Sequence, residues 1–331
     1  MQIPTRNALL FTLALITSYG ISPYGMSHVA EGAIAYVTNE KDNTVSIVDV
    51  DKGALIRHVD VGRRPRGIIL SADKKHIYIC ASDDDRVEIR DAETLKLIRY
   101  LPSGPDPELF ILHPDGRTLF IANEDDNMVT VVDVPEQMVI EEIPVGVEPE
   151  GMGINPKGSI LVNTSETTNM AHFIDTQNLD VIHNTLVDAR PRVSIYNKEG
   201  TEVWVSSEVG GTVSIINPQT YAIDHVIRFD IPGVNDEAIQ PVGVRLTDDG
   251  RYAFVALGPA NRIAVIDQKT KDVITYLLVG QRVWQLAFTP DQKKIVSTNG
   301  VSNDISIIDV DDLKVIKSVR VGRFPWGVVI K

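Results

Sequence analysis

The sequence predicts an all-β fold: a seven-bladed β-propeller of four-stranded antiparallel blades, closed by pairing of the C-terminal strand with the N-terminal blade. Three observations carry this. A marker residue recurs at a fixed step, a turn motif recurs at the same step, and the tail supplies a strand that the head lacks. The marker is the acid or amide ending each Val-rich strand: Asp49, Asp91, Asp133, Asp175, Asn217, Asp267 and Asp309. Successive members are 42 residues apart, except for a step of 50 between Asn217 and Asp267. A fixed period of this length is the signature of a repeat fold. The longer step marks an insertion of 8 residues, placed around residues 229–239.

The second marker is a Gly-x-x-Pro turn or its relic. Its prolines are Pro65, Pro107, Pro149, Pro191, Pro241 and Pro325, with Val283 at the equivalent place. Its glycines are Gly62, Gly104, Gly146, Gly280 and Gly322, with Asp188 and Ala238 in the other two units. Each unit reads as four short strands, in the first unit residues 34–38, 44–48, 55–61 and 67–71. β-Branched residues dominate them, and turn-forming residues such as Asn43, Asp51-Lys52-Gly53 and Asp73-Lys74 separate them. Nothing in the chain supports a long amphipathic helix.

The third observation is how the ring closes. The innermost strand of each blade should follow the Gly-x-x-Pro turn. The chain instead starts its repeats one strand later, at Ile34, and ends with Phe324-Pro325-Trp326-Gly327-Val328-Val329-Ile330, the missing innermost strand. Pairing head and tail removes the two free edges that an open array of sheets would expose.

Composition narrows the function. Hydrophobic residues make up 43% of the 331, enough for a large core, and the net charge is −13. An acidic surface repels phosphate backbones, so nucleic acid is excluded as a partner. The lone cysteine, Cys80, allows no intramolecular disulfide and lies in an apolar run, where it reads as a small buried hydrophobe. Arg6, an apolar run over residues 8–16 and then small and polar residues have the layout of a secretory signal peptide. The run is short of the roughly 20 apolar residues of a membrane span. We therefore expect residues 1–30 to be a signal peptide and residues 31–331 a single propeller domain, periplasmic or secreted, without a membrane span. Cleavage after Ala30 fits the start of the repeats; Gly20 and Ser27 are other exits.

Tyr36-Val37-Thr38-Asn39, Thr44-Val45-Ser46-Ile47-Val48-Asp49 and Val61-Gly62-x-x-Pro65-x-Gly67 resemble the YVTN-type β-propeller repeat. The likeness runs through all seven units, with degenerate copies such as Phe120-Ile121-Ala122-Asn123 and Val296-Ser297-Thr298-Asn299. The whole layout resembles the propeller proteins associated with catabolism dependent on pyrroloquinoline quinone (PQQ). That resemblance implies a non-catalytic accessory protein of PQQ-linked alcohol oxidation and its transport system. The partners it implies are periplasmic, such as a quinoprotein dehydrogenase or a transporter component. It carries over no catalytic residue.

In this blade order the Gly-x-x-Pro connections ring one mouth of the central channel. The residues flanking each proline should face it: Arg64/Arg66, Asp106/Glu108, Glu148/Glu150, Arg190/Arg192, Gln240/Val242, Arg282/Trp284 and Phe324/Trp326. Glu40, Glu124, Glu166 and Glu208 join the same face. Arg64, Arg66, Arg190, Arg192, Arg282, Trp284 and Trp326 form a candidate ligand site, since arginines hold carboxylates through paired hydrogen bonds and indoles offer stacking surfaces. A small carboxylate, PQQ among them, suits it. Asp106, Glu108, Glu148 and Glu150 are candidate ligands for a hard cation such as Ca²⁺, which takes about six to eight oxygens. The plainer reading is that these charges pair with one another. No cofactor is required by any motif. Walker, Gly-x-Ser-x-Gly, His-x-x-x-His and Cys-x-x-Cys-His patterns are all absent, and no histidine falls at the mouth. A non-catalytic binding protein is thus expected, with a lactonase-like hydrolase and a protein-interaction scaffold as the alternatives.

Overall fold

The computed structural model describes Met1, Gln2 and residues 32–331. The expected signal peptide lies outside the described residues apart from those first two. Among the described residues, no helix is long and apolar enough to cross a membrane.

The repeats fold because nearly every second- and third-ring strand is apolar on both faces. Tyr36 points to one neighbouring blade, packing with Ile68, Ile77 and Ile79, while Ala35 and Val37 point to the other, packing with Val296, Ile305 and Ile307. Such strands are stable only between two other sheets, each buried Val or Ile contributing roughly 1.5–3 kcal/mol. The described residues accordingly form seven four-stranded sheets. The outermost strands, such as Ala54–Asp60, face solvent along most of their length.

The first blade runs, from the axis outward, Pro325–Ile330, Ile34–Asn39, Thr44–Asp49 and Ala54–Asp60. The innermost strands of the next six blades are Pro65–Leu70, Pro107–Leu112, Pro149–Ile154, Pro191–Tyr196, Val244–Leu246 and Val283–Phe288. The ring therefore closes as the sequence predicts. Ala35 pairs with Ile330, Tyr36 with Val329 and Val37 with Val328, antiparallel. The seam extends beyond the strands through Lys331 N to Ile34 O at 2.9 Å and Glu40 N to Phe324 O at 3.0 Å.

A register shift between Pro325 and Val328 recurs in the blades starting at Pro65, Pro107, Pro149, Pro191 and Val283. In several blades a hydroxyl fills the gap. Gly327 N donates to Thr38 Oγ1 at 2.8 Å, and Thr38 Oγ1 donates to Arg66 O of the next blade at 2.8 Å. Thr164, Ser206 and Thr298 reach the carbonyls of Arg192, Val242 and Trp326 in the same way. These hydroxyls tie each mouth residue to the preceding blade. Thr38→Val keeps the shape but leaves two buried backbone groups without this partner. It is expected to lower stability by about 2 kcal/mol, read as a fall in the urea midpoint at unchanged m-value.

The insertion alters one blade. Phe229, Ile231 and Ile239 turn inward and join the core between the fifth and sixth blades, while residues 232–237 stay largely outside. The sixth innermost strand is cut to three residues, and Gly243 N donates to Trp284 O of the seventh blade at 2.9 Å.

Candidate functional site

The mouth is built by one repeated turn. Arg64, Asp106, Glu148, Arg190, Arg282 and Phe324 all have left-handed backbone, with φ of 48–59°. For non-glycine residues that conformation needs support. It comes from an amide or carboxylate half a repeat earlier, itself left-handed: Asn43 accepts from Arg64 N at 3.0 Å, Asp85 from Asp106 N at 3.1 Å and Asn127 from Glu148 N at 3.2 Å. Asn169, Asn261 and Asn303 serve Arg190, Arg282 and Phe324 identically. Of these six supporting residues the sequence reading named only Asn43, as a turn former, and did not connect it to the mouth. Gly211 takes the place in the fifth blade, and there the turn departs from the pattern.

The structure brings the predicted arginines together with carboxylates. Arg64 pairs with Asp106, and also with Asp83 at 2.8 Å and Glu108 at 3.5 Å. Arg66 pairs with Glu108 and lies 3.5 Å from Glu40. Arg192 meets Glu166 at 2.5 Å, Glu150 at 3.0 Å and Glu208 at 3.3 Å, all four side chains being at least 95% buried. Arg190 binds Glu166 at 2.7 Å, and Arg282 binds Glu208 at 3.2 Å. The plainer reading of the mouth, charge pairing, thus describes every predicted arginine. What the sequence did not convey is the burial of Arg192, Glu108, Glu150, Glu166 and Glu208 within these pairs.

Burial opposes the charge on Arg66 and Arg192, yet the facing glutamates hold both more firmly protonated than an ordinary arginine. The carboxylates bear the opposite strain. Burial pushes Glu108, Glu150 and Glu166 upward against the pull of the arginines. Glu124 is pushed to about 7, by burial first and then by the charge of Glu108. Glu124 also hydrogen-bonds Glu108, which requires a proton between the two.

For a hard cation, the residues converge differently from the expected set. Asp106 and Glu108 lie with Glu124, one oxygen of each within 4.8 Å of the others, rather than with Glu148 and Glu150. Glu148 accepts from Thr167 instead, and Glu150 from Arg192. Arg64 and Arg66 already bind Asp106 and Glu108, so a dication would sit against two guanidiniums. A shared proton suits this cluster better than Ca²⁺ does. For a polycarboxylate such as PQQ the fit is also poor, because every predicted arginine is already engaged by a carboxylate.

The two tryptophans part company. Trp326 is 2% exposed beneath Arg66, whose guanidinium lies 5.6 Å from its ring, and offers no free face. Trp284 keeps an accessible edge and carries Arg282 at 4.5 Å and Arg192 at 5.9 Å. Its seat depends on Gly300, at the repeat position held elsewhere by Glu40 and Glu124, where a Cβ would lie 2.5 Å from Trp284 Nε1. Trp204 is core, as expected, and so is Cys80.

Residues 81–296 match the family model of the choice-of-anchor I domain. The chain belongs to this family. The choice-of-anchor I match includes the mouth connections from Asp106 to Trp284. No curated protein matches the chain. Among solved structures, Pseudomonas aeruginosa periplasmic gluconolactonase superposes with a TM-score of 0.77 at 15% identity, covering 90% of this chain and 98% of the other. A chain of Kuenenia stuttgartiensis hydrazine synthase superposes with a TM-score of 0.74 at 20% identity, covering 83% and 92%. At these identities the likeness to both is one of fold, which the choice-of-anchor I chain shares.

Proposed function

We propose that the channel mouth binds a small, neutral, polyhydroxylated molecule of the sugar or sugar-lactone class. The observation that carries this is the paired state of the mouth. An anion must displace a glutamate from Arg66 or Arg192, and a cation must displace an arginine from Glu108 or Glu150. Hydroxyl groups displace neither, because each can donate to a carboxylate and accept from a guanidinium. The buried Nε atoms of Arg66 and Arg192 hold no hydrogen bond, so the paired charges still leave donor capacity unused. Trp284, at the rim, adds an apolar edge beside these groups.

A second reading, lactone hydrolysis, is favoured by Glu124 alone. A carboxyl with pKa about 7 is suited to accept a proton from an attacking water and return it to the departing ring oxygen. Water's oxygen bonds to the lactone carbonyl, the ring C–O bond breaks, and a hydroxy acid results. The gluconolactonase with a related fold lends this support of the same coarse kind. The resemblance of the whole layout to the propellers of PQQ-linked catabolism supports a setting in periplasmic alcohol oxidation.

The test follows Trp fluorescence and thermal unfolding with D-glucono-1,5-lactone, glucose, gluconate and PQQ, together with pH-stat hydrolysis of the lactone. The neutral compounds are expected to raise the melting temperature and change the tryptophan fluorescence, and gluconate and PQQ to leave the fluorescence unchanged. A fluorescence change at lower concentration of either anion overturns the reading. Hydrolysis that Glu124→Gln abolishes while lactone still binds establishes the second reading.

A further inference from the structure

Below the mouth the innermost strands bring a second set of residues to one level, four residues beyond each turn proline or Val283. Ile69, Ile111, Ile195 and Val329 occupy this level with the small Gly153 and Ala287. Each is paired in the same register to its second strand, as Ile69 is to Tyr78 and Ile111 to Phe120. In the sixth blade the position is Arg245, paired with Phe254. It brings the one charge to an otherwise apolar level.

Arg245 differs from Arg66 and Arg192 above it. Its guanidinium makes one hydrogen bond among the described residues, from Nη1 to Val244 O at 2.8 Å, and meets no carboxylate. Burial alone draws its pKa down to about 10, with no acidic group opposing. It nevertheless keeps some accessible surface, as do Ile69, Ile111 and Ile195 at the same level. A desolvated cation lacking a counter-ion is costly, and a fold carrying one either tolerates instability or supplies an anion from solution.

We propose that Arg245 is the anchor of an anion site in the lower channel that takes a small monocarboxylate. The free Nε–Nη2 edge matches a carboxylate bidentately, a single guanidinium balances a single charge, and the isoleucines at this level, each partly exposed, offer apolar contact to a short chain. The site is independent of the mouth, where the arginines are already neutralised.

Thermal unfolding of the wild type and of Arg245→Met is measured while sodium acetate or sodium butyrate replaces sodium sulfate at constant ionic strength. The wild type is expected to gain stability saturably, its folding equilibrium shifting about elevenfold at ten times Kd, with butyrate acting at lower concentration than acetate. Arg245→Met is expected to show no saturable gain and to melt no lower than wild type without carboxylate, since it removes an unpaired cation. Arg245→Lys keeps the charge but loses the fork, and its response should require more acetate. Glu124→Gln, at the mouth, should respond as wild type does. An equal response in wild type and Arg245→Met, no response in wild type, or an unchanged half-saturation in Arg245→Lys each overturns the proposal.

Discussion

A chain ending at Phe324 is expected not to fold cooperatively. Removing residues 325–331 strips the first blade of its innermost strand and exposes the inner edge of Ile34–Asn39. It also uncovers the apolar layer in which Val328 and Ile330 pack with Val296, Ile305 and Ile307 of the seventh blade. Two buried hydrophobes alone account for roughly 3–6 kcal/mol at 1.5–3 kcal/mol each, comparable to a whole domain's stability of about 5–15 kcal/mol. The loss also propagates, because the open edge is a template for pairing with another chain. Far-UV circular dichroism during heating should show a broad, low-amplitude change in place of one sharp transition, and size-exclusion chromatography should show association. A cooperative, monomeric truncated protein would mean that the closing strand is dispensable. Val328→Asp is a subtler probe of the same seam: it places a carboxylate at a position 5% exposed with no cation opposite and should destabilise by several kcal/mol.

The second large effect is expected from Arg192→Leu. Arg192 is the common partner of Glu150, Glu166 and Glu208, which are 1%, 3% and 4% exposed. Deleting it leaves buried carboxylates facing one another, a type of change that costs about 3–5 kcal/mol. The loss should be largest above neutral pH and shrink in acid, where protonation removes the repulsion. The wild type carries a milder form of this pH dependence. Glu124 has a folded pKa of about 7 against an ordinary value of 4.5. Below pH 4.5 both folded and unfolded chains hold its proton. Between about 4.5 and 7 the folded chain keeps a proton that the unfolded chain has released, so stability from this group falls as pH rises and levels off above 7. Glu108, Glu150 and Glu166 are shifted in the same direction. Urea midpoints between pH 5 and 8 should therefore decline with pH, and Glu124→Gln should flatten the curve. A midpoint that rises through this range would show these carboxyls to be ionised and stabilised, contrary to the geometry.

The architecture was legible because a propeller writes its period into the chain. Turn chemistry at Gly62, Asn43 and Pro65, repeated every 42 residues but for the one insertion, fixes strand ends locally, and strands apolar on both faces leave no solvent-facing solution for the inner strands. The seam between Pro325–Ile330 and Ile34–Asn39 could be read for the same reason, as a missing member of a counted set. The mouth residues were placed on one rim by that count, and Glu40, Glu124, Glu166 and Glu208 fell on it too.

Their chemistry was not legible, because it depends on which charges meet across the axis and how much water remains. Periodicity puts Arg192 and Glu150 on neighbouring blades. Only the folded ring buries them against Glu166 and Glu208, hides Trp326 while leaving Trp284 at the rim, and gathers Asp106 and Glu108 with Glu124 instead of Glu150. Arg245 is the clearest case. In the sequence it is one more residue of a short strand, whereas in the ring it is a cation at an apolar level with no counter-ion. Local bonding and hydrophobic pattern are properties of neighbouring residues, so the chain alone determined the blades, their number and their closure. Electrostatics in a channel depends on distance and dielectric between residues far apart in sequence, and tertiary structure decided it.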